Sequence, residues 1–188
     1  MSTSHPTPGT RRRLTGKRAD TVRRLGTATV EALRESRYGD LTVQDVARRA
    51  GVTRATAYIY FSSKEHLIAE EYLRRLSEVT IDLPEDGLED RVIATLRGLA
   101  LAVGDEPDFG RAASRALQSD DPEVDELRLQ LYTEIRDRLT EATGPDTDPG
   151  LIDLLELIYT GAIVRAGTGH VSYESVADTI AEAARRVL

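Results

Sequence analysis

Residues 41–67 constrain the fold more than any other part of the sequence, because their apolar positions divide them into two short helices joined at a glycine. Thr42 is a good N-cap for the first of these helices, and Asp45 resembles the acidic partner of a capping box. Gly51 ends the helix at a position where the backbone must reach a positive φ. Thr53 then caps the second helix. We therefore predict two short helices joined by a tight turn.

The second helix of the pair has threonine, arginine and tyrosine where a core helix would have large aliphatic side chains, and this suits a helix lying in the major groove of DNA. Arginine can bind a guanine edge or a phosphate, and threonine and tyrosine hydroxyls can reach the sugar-phosphate backbone. Alanine allows close approach, and a lysine at the start of the next helix adds charge beside free backbone N–H groups. The predicted DNA contacts are Thr42, Thr53, Arg54, Ala55, Thr56, Tyr58, Tyr60 and Lys64.

Helical patterns with clear caps also account for the rest of the chain, and no stretch shows sustained period-2 alternation. Ser62 and Glu65 fit a capping box that opens a fourth helix, which ends near Val79. The other helices are expected at about 16–36, 88–103, 108–118, 122–143, 149–167 and 173–188. Together with the short pair, they predict an all-α fold of about nine helices.

Charge is divided unevenly along the chain. The first 64 residues hold 13 Lys and Arg against 5 Asp and Glu, whereas the rest hold 12 against 27. Nucleic-acid binding by the basic part explains this split, and so does a chance excess of basic residues on a solvated surface. Residues 1–15 are expected to be disordered, because they are small, polar and rich in Pro and Gly. Their Arg11, Arg12 and Arg13 form either an arm that approaches DNA or a solubilising tail.

Several classes of site are missing from the sequence. The absence of cysteine excludes disulfides, thiolate nucleophiles and cysteine-based metal sites. His5, His66 and His170 have no recognisable spacing to an acid or a nucleophile, so we expect no enzyme, no metal and no cofactor. We also expect no signal peptide and no membrane partner, since no run of about 18 apolar residues is present. The chain is therefore expected to be soluble and cytoplasmic.

The motifs around the short helices resemble the signature of the TetR family of transcriptional regulators. They are Thr-Val-Gln-Asp-Val-Ala at 42–47, Ala-Gly-Val-Thr at 50–53, Tyr-Ile-Tyr-Phe at 58–61 and Ser-Lys-Glu-His-Leu at 63–67. The likeness in motif runs from the first helix to Leu67, and it is specific because several motifs occur at fixed spacing. One departure is alanine at position 57, where the family more often has a larger aliphatic side chain.

The resemblance implies a three-helix helix-turn-helix DNA-binding domain at 16–64 and a helical ligand-sensing and dimerisation domain at 65–188. It implies that the predicted contacts of the second short helix, together with Lys64, face DNA, and that Phe61 locks the helices together. Ile59 is consistent with either a contact or a packing role.

The family layout further implies a small-molecule pocket between the middle helices and a four-helix dimer interface formed by the last two helices of each subunit. Core filling is the alternative role for each pocket residue, and some interface stripes can equally face the subunit's own core. The expected pocket residues are Leu96, Leu99, Phe109, Leu117, Leu131, Tyr132 and Ile135. The expected interface residues are Leu151, Leu154, Leu155, Ile158, Ala162, Val176, Ile180, Ala184 and Val187.

The sequence therefore predicts a ligand-responsive transcriptional regulator with three partners: double-stranded DNA, a second copy of the chain and a small-molecule effector. Repression is the commoner mode of the family, so we expect a repressor that binds a palindromic operator and is released by an apolar or amphipathic molecule. One alternative is a helical interaction protein without DNA binding, which leaves the threonine- and tyrosine-bearing helix pair unexplained. An enzyme is the other alternative, and no catalytic spacing supports it.

Overall fold

The computed structural model describes residues 16–85 and 87–188, and over these residues the chain forms nine α-helices and no strand. The all-α prediction is confirmed, and the helix bounds lie within two residues of those expected. The predicted arm at 1–15 lies outside the described residues. The helices are α1 (Lys17–Glu35), α2 (Val43–Arg49), α3 (Arg54–Tyr60), α4 (Lys64–Glu78), α5 (Leu88–Leu101), α6 (Pro107–Ala116), α7 (Pro122–Thr143), α8 (Pro149–Gly167) and α9 (Tyr173–Val187).

Local hydrogen bonds fix the turn between α2 and α3. The Thr42 hydroxyl accepts the backbone N–H of Asp45 at 3.1 Å, as an N-cap should. Gly51 has a φ of 64°, which a side chain would disfavour. From α1, the guanidinium of Arg24 donates to the carbonyls of Ala50 and, at 3.2 Å, of Gly51. The C-terminal end of α2 is therefore held against α1, which sets the direction of α3.

The capping box predicted at Ser62 and Glu65 is wrong by one residue. Ser63 is the N-cap of α4, and its hydroxyl accepts the backbone N–H of His66 at 3.0 Å. Glu65 instead accepts the hydroxyl of Tyr38 at 2.8 Å. The register follows from burial of Phe61 just before the turn, which leaves Ser63 at the first free N–H groups of the helix.

The helical body packs around one continuous core, in which α5 lies against α7 and α9, and α8 lies against α6, α7 and α9. The largest fully buried side chains of the body include Phe109, Leu139, Leu155, Tyr159 and Ile180. Among the described residues, no helix has the length and apolar character needed to cross a membrane.

Ionic and polar contacts join the body to the α1–α3 unit. Arg34 of α1 forms a bidentate pair with the buried carboxylate of Glu106, the residue that precedes α6. At the start of α7, the Asp121 carboxylate accepts hydrogen bonds from the hydroxyls of Ser63 and, at 3.1 Å, of Ser62. One carboxylate thus contacts the turn between α3 and α4 while it caps a helix of the body.

Candidate DNA-binding surface

One face of α3 is buried and the other is open to solvent. Ala57 is fully buried, and so is Phe61, one turn later. The small Ala57 side chain lets α3 pack closely. On the opposite face, Ile59 is 77% exposed and Tyr58 is 45% exposed, although both side chains are large. Packing within the subunit does not account for two large exposed side chains, so the exposed face is a candidate contact surface.

Arg54 is held on this face without a carboxylate partner. Its guanidinium carbon lies 5.4 Å from the centre of the Tyr58 ring, and its Nη1 donates to Oε1 of Gln44 at 3.3 Å. Within the described residues it forms no ion pair, whereas Arg48 and Arg49 of α2 both pair with carboxylates. Its charge is therefore available to an outside anion or to a guanine edge.

Thr42 and Thr53 combine capping with exposure, and Thr56 lies half-buried beside Thr53. The Thr53 hydroxyl accepts the backbone N–H of Thr56 at 3.0 Å and lies 2.8 Å from the Thr56 hydroxyl. The Thr42 hydroxyl donates to Asp45 at 2.6 Å, and this hydrogen bond, with one from Arg48, lowers the pKa of the Asp45 carboxyl. Ala55, also exposed, leaves room for close approach beside them.

Lys64 and Tyr60 are less open than the residues of the exposed face. The Lys64 ammonium donates to the carbonyl of Tyr38 at 2.8 Å and lies 4.5 Å from the centre of the Tyr38 ring. Tyr60 is half-buried and packs against the core. Lys64 therefore braces the segment before α2, and a phosphate contact from it stays a prediction.

Two residues of the surface were missed or left undecided by the sequence. Gln44 is exposed on α2 and accepts a hydrogen bond from Arg54, so it belongs to the same exposed surface. A glutamine amide matches an adenine edge. Ile59 is the most exposed large apolar residue described. The sequence feature that could have identified Gln44 is its position outside the apolar stripe of α2.

A cavity of about 150 Å³ lies in the helical body between α4, α6, α7 and α8. Four of the predicted pocket residues line it, whereas Leu96, Leu99 and Phe109 are core residues away from it. Larger hollows of about 440 and 420 Å³ beside α1 are open and lined largely by charged side chains, so they suit an apolar ligand less well. The lining of the 150 Å³ cavity includes Tyr72, Ser114, Leu117, Arg128, Leu131, Tyr132, Ile135, Tyr159, Ile163 and Val164.

The predicted interface residues divide between the subunit's own core and its surface. Leu154 and Val187 are exposed. Leu151, Ile158 and Ala162 are half-buried. The remaining four are buried, so they face the subunit's own core, which was the alternative to an interface role. They are Leu155, Val176, Ile180 and Ala184.

The chain matches known proteins along most of its length. The family model for bacterial regulatory proteins of the tetR family matches residues 27–70, which run from within α1 into α4. An uncharacterized HTH-type transcriptional regulator of Mycobacterium tuberculosis is 45% identical over 166 residues, which cover 85% of this chain and 76% of that protein. The chain belongs to the TetR family. It is thus a helix-turn-helix transcriptional regulator rather than an enzyme.

One further regulator matches at lower sequence identity, and two solved structures share the fold of this chain. The regulator EthR of Mycolicibacterium smegmatis is 30% identical over 142 residues, which cover 66% of this chain and 64% of EthR. A TetR regulator from Rhodococcus sp. RHA1 superposes with a TM-score of 0.74 at 20% identity, over 92% of this chain and 98% of that one. FadR from Bacillus subtilis, solved in complex with stearoyl-CoA, superposes with a TM-score of 0.62 at 15% identity, over 88% and 98% of the two chains.

Proposed function

We propose that this TetR regulator is a repressor that binds a palindromic operator as a homodimer and leaves it when a small apolar or amphipathic molecule binds. Residues 16–64 would contact DNA, and residues 65–188 would sense the ligand and form the dimer. The observation that carries the proposal is the exposed face of α3, where Arg54 has no carboxylate partner within the described residues and lies against an exposed tyrosine ring.

The proposed contacts follow from the chemistry of that face. With α3 in the major groove, Arg54 would give a bidentate contact to guanine, and Gln44 could read an adjacent adenine. The hydroxyls of Thr53, Thr56 and Tyr58 would bind phosphate oxygens. In a two-fold dimer, two such surfaces would meet half-sites separated by about 34–36 Å or a multiple of it.

The cavity in the body is the proposed ligand site. Its one charged lining residue, Arg128, already donates to the carbonyls of Leu117 at 2.6 Å and Ser119 at 3.1 Å, so the lining favours an uncharged ligand group. Burial raises the pKa of Tyr72 and Tyr159, so both hydroxyls stay protonated. The Tyr159 hydroxyl donates to the carbonyl of Leu99 at 3.3 Å and lies 3.4 Å from the Tyr72 hydroxyl, so the tyrosines add polar but uncharged groups to the lining. FadR, with its bound stearoyl-CoA, is a TetR-fold precedent for an amphipathic ligand.

Release would be a shift between two populations of the dimer. Ligand would favour a conformer in which α4 swings and the two α3 helices no longer match adjacent grooves. The contact between Asp121, at the start of α7, and Ser63, at the start of α4, gives such a movement a direct route, because α7 lines the cavity.

Selection from a pool of randomised duplexes tests the proposal. The expected result is an enriched two-fold symmetric site whose affinity falls steeply with salt. Arg54→Ala should lose this binding, whereas Arg186→Ala, which changes an exposed arginine on α9, should keep it. If neither the purified protein nor the same protein refolded free of ligand enriches any site at low salt, DNA binding by this surface is wrong.

A further inference from the structure

The cavity of about 150 Å³ in the helical body has a buried wall and an exposed rim. Tyr72 of α4 and Tyr159 of α8 line it, and these side chains are only 5% and 2% exposed. Tyr132 and Val164 also line it, yet each of them is about half exposed, so they mark the side on which the cavity opens. A ligand that enters past the rim therefore meets the two buried tyrosines at the inner end.

The buried wall has more hydroxyl hydrogens than close acceptors. The Tyr159 hydroxyl donates its single hydrogen to the carbonyl of Leu99 at 3.3 Å. Within the described residues, the acceptor nearest the Tyr72 hydroxyl is the Tyr159 oxygen at 3.4 Å, whereas hydroxyl groups usually bond at about 2.7–2.8 Å. A buried donor gains free energy when it finds a closer acceptor. The wall therefore favours a ligand atom that accepts a hydrogen bond from Tyr72.

A third buried tyrosine adds to this donor-rich region. The Tyr173 hydroxyl has no hydrogen-bond partner within bonding distance among the described residues. Its oxygen lies against Gly110, one turn of α6 before the lining residue Ser114. Burial raises the pKa of Tyr173 to about 12, and the nearby Tyr72 adds to the shift. The tyrosine hydroxyls of this region therefore stay protonated and present neutral donors.

The lining does not suit a charged ligand group at the tyrosine wall. None of the described lining residues is acidic, so a cationic group would find no carboxylate there. The one cation of the lining, Arg128, donates to two backbone carbonyls and pairs with Asp125. A carboxylate at the wall would be buried without a free cation, and this costs much more free energy than burying a neutral carbonyl group.

The volume of the cavity limits the size of the ligand. An apolar cavity of about 150 Å³ holds a benzene ring, and the present cavity has about the same volume. Leu131, Ile135 and Ile163 surround it with branched apolar side chains. A molecule with the bulk of one ring would therefore fill the space, with its polar atom against the tyrosines.

We propose that the cavity takes a compact, uncharged molecule with the bulk of one substituted ring, whose carbonyl-type oxygen accepts a hydrogen bond from Tyr72. The inference rests on the proposed ligand-sensing function and specifies the chemistry of the ligand. Tyr72 lies on α4, the helix that follows α3 in the chain. A ligand held by Tyr72 therefore acts directly on the helix that leads to the DNA-binding surface.

Three probes of the same shape test the ligand class. Acetophenone carries the neutral acceptor, α-methylstyrene has a methylene group in place of its oxygen, and benzoate carries a negative charge. Each probe is titrated calorimetrically into protein refolded free of ligand. Acetophenone should bind, and benzoate should bind more weakly by roughly a factor of ten or more. Absence of acetophenone binding, or benzoate binding as tight as that of acetophenone, would overturn the proposed class.

Tyr72→Phe tests the donor, because it removes the hydroxyl and keeps the ring. The quantity compared is the ratio of the α-methylstyrene Kd to the acetophenone Kd, in which effects on apolar packing largely cancel. In Tyr72→Phe this ratio should fall by roughly threefold to tenfold, the effect of one neutral hydrogen bond. Tyr132→Phe, which removes a hydroxyl from the exposed rim, is the matched control and should leave the ratio unchanged. An unchanged ratio in Tyr72→Phe, or an equal fall in Tyr132→Phe, would overturn Tyr72 as the donor.

These titrations contain no DNA, so their failure is distinct from failure of the proposed function. If the protein selects a two-fold operator and acetophenone does not bind, the regulatory function stands and the ligand class is wrong. If the probes bind as expected and no operator is selected, the ligand class stands and DNA binding by the exposed face of α3 is wrong.

Discussion

The guanidinium of Arg54 is held in one orientation on the exposed face of α3. Its guanidinium stacks on Tyr58 and touches Gln44, so two neighbours orient it before DNA arrives. Preorganised guanidinium groups lose little rotamer freedom on binding. Specific recognition by α3 should therefore depend on the planar shape of this group and not only on its charge.

Replacing Arg54 by lysine separates these two contributions. Arg54→Lys keeps the charge but loses the bidentate contact, so affinity for the selected site should fall by about 1–3 kcal/mol. Binding to unrelated duplex DNA should change little, because phosphate attraction remains. Parallel titrations of both duplexes measure the difference. Equal losses on the two duplexes would mean that Arg54 binds phosphate rather than a base.

Inside the body, the packing around Gly110 of α6 leaves no room for even one added carbon atom. A Cβ at this position would overlap the buried Tyr173 ring. Gly110→Ala should therefore destabilise the fold by about 1–3 kcal/mol, although alanine is the better helix former. The measurement is urea unfolding beside Gly150→Ala, where the added carbon meets only ordinary contacts at 3.5 Å. A stabilised Gly110→Ala variant would contradict the close approach of Gly110 to the Tyr173 ring.

At the scale of elements, the sequence predicted the helices well and their partners less well. Caps such as Thr53 and Asp121 depend on neighbours in the chain, so the helix starts could be read locally. The first residue of α4 could not be read locally, because Ser62 and Ser63 are both suitable caps. The burial of Phe61 just before them favours Ser63 as the cap. Val176 and Ile180 formed an apolar stripe in sequence, but only packing revealed that the stripe faces α5 and α8 within the subunit.

Asp121 tests the link between α7 and α4. Asp121→Ala should cost about 1 kcal/mol for the lost cap and should also speed hydrogen exchange at the start of α4, where it contacts Ser63. Asp148→Ala is the matched control, because Asp148 caps α8 in the same Asp-Pro context through the N–H of Gly150. If both variants leave exchange in α4 unchanged, Asp121 does not hold the two elements together.

Across the whole molecule, carboxylates join the DNA-binding unit to the body. The hydrogen bond from Arg34 lowers the pKa of Glu106. Partial burial raises the pKa of Asp121, but hydrogen bonds from Ser63, Glu123 and Ser62 outweigh it, so the net pKa is also lowered.

Acid should therefore destabilise the fold. A carboxyl whose pKa is lower in the folded state stabilises it above the unfolded-state pKa, about 3.9 for Asp and 4.3 for Glu, and this contribution disappears as pH falls through the folded value. The free energy of unfolding should drop as the pH falls below about 4. Urea unfolding between pH 6 and pH 3 measures it. In Glu106→Gln the drop should be shallower. If this variant shows the same pH profile as the unsubstituted protein, Glu106 does not contribute to the loss of stability in acid.

The central claim is that two copies of α3 lie in successive major grooves, and affinity cleavage tests it most directly. A single cysteine at the exposed Ile59, in an otherwise cysteine-free chain, can carry an iron chelate that cleaves nearby DNA. On a selected duplex we predict two cleavage clusters with a major-groove pattern, related by two-fold symmetry and about 34–36 Å apart or a multiple of it. The same reagent on Thr179→Cys should leave the duplex intact. A single cluster, a minor-groove pattern or equal cleavage from position 179 would contradict the account.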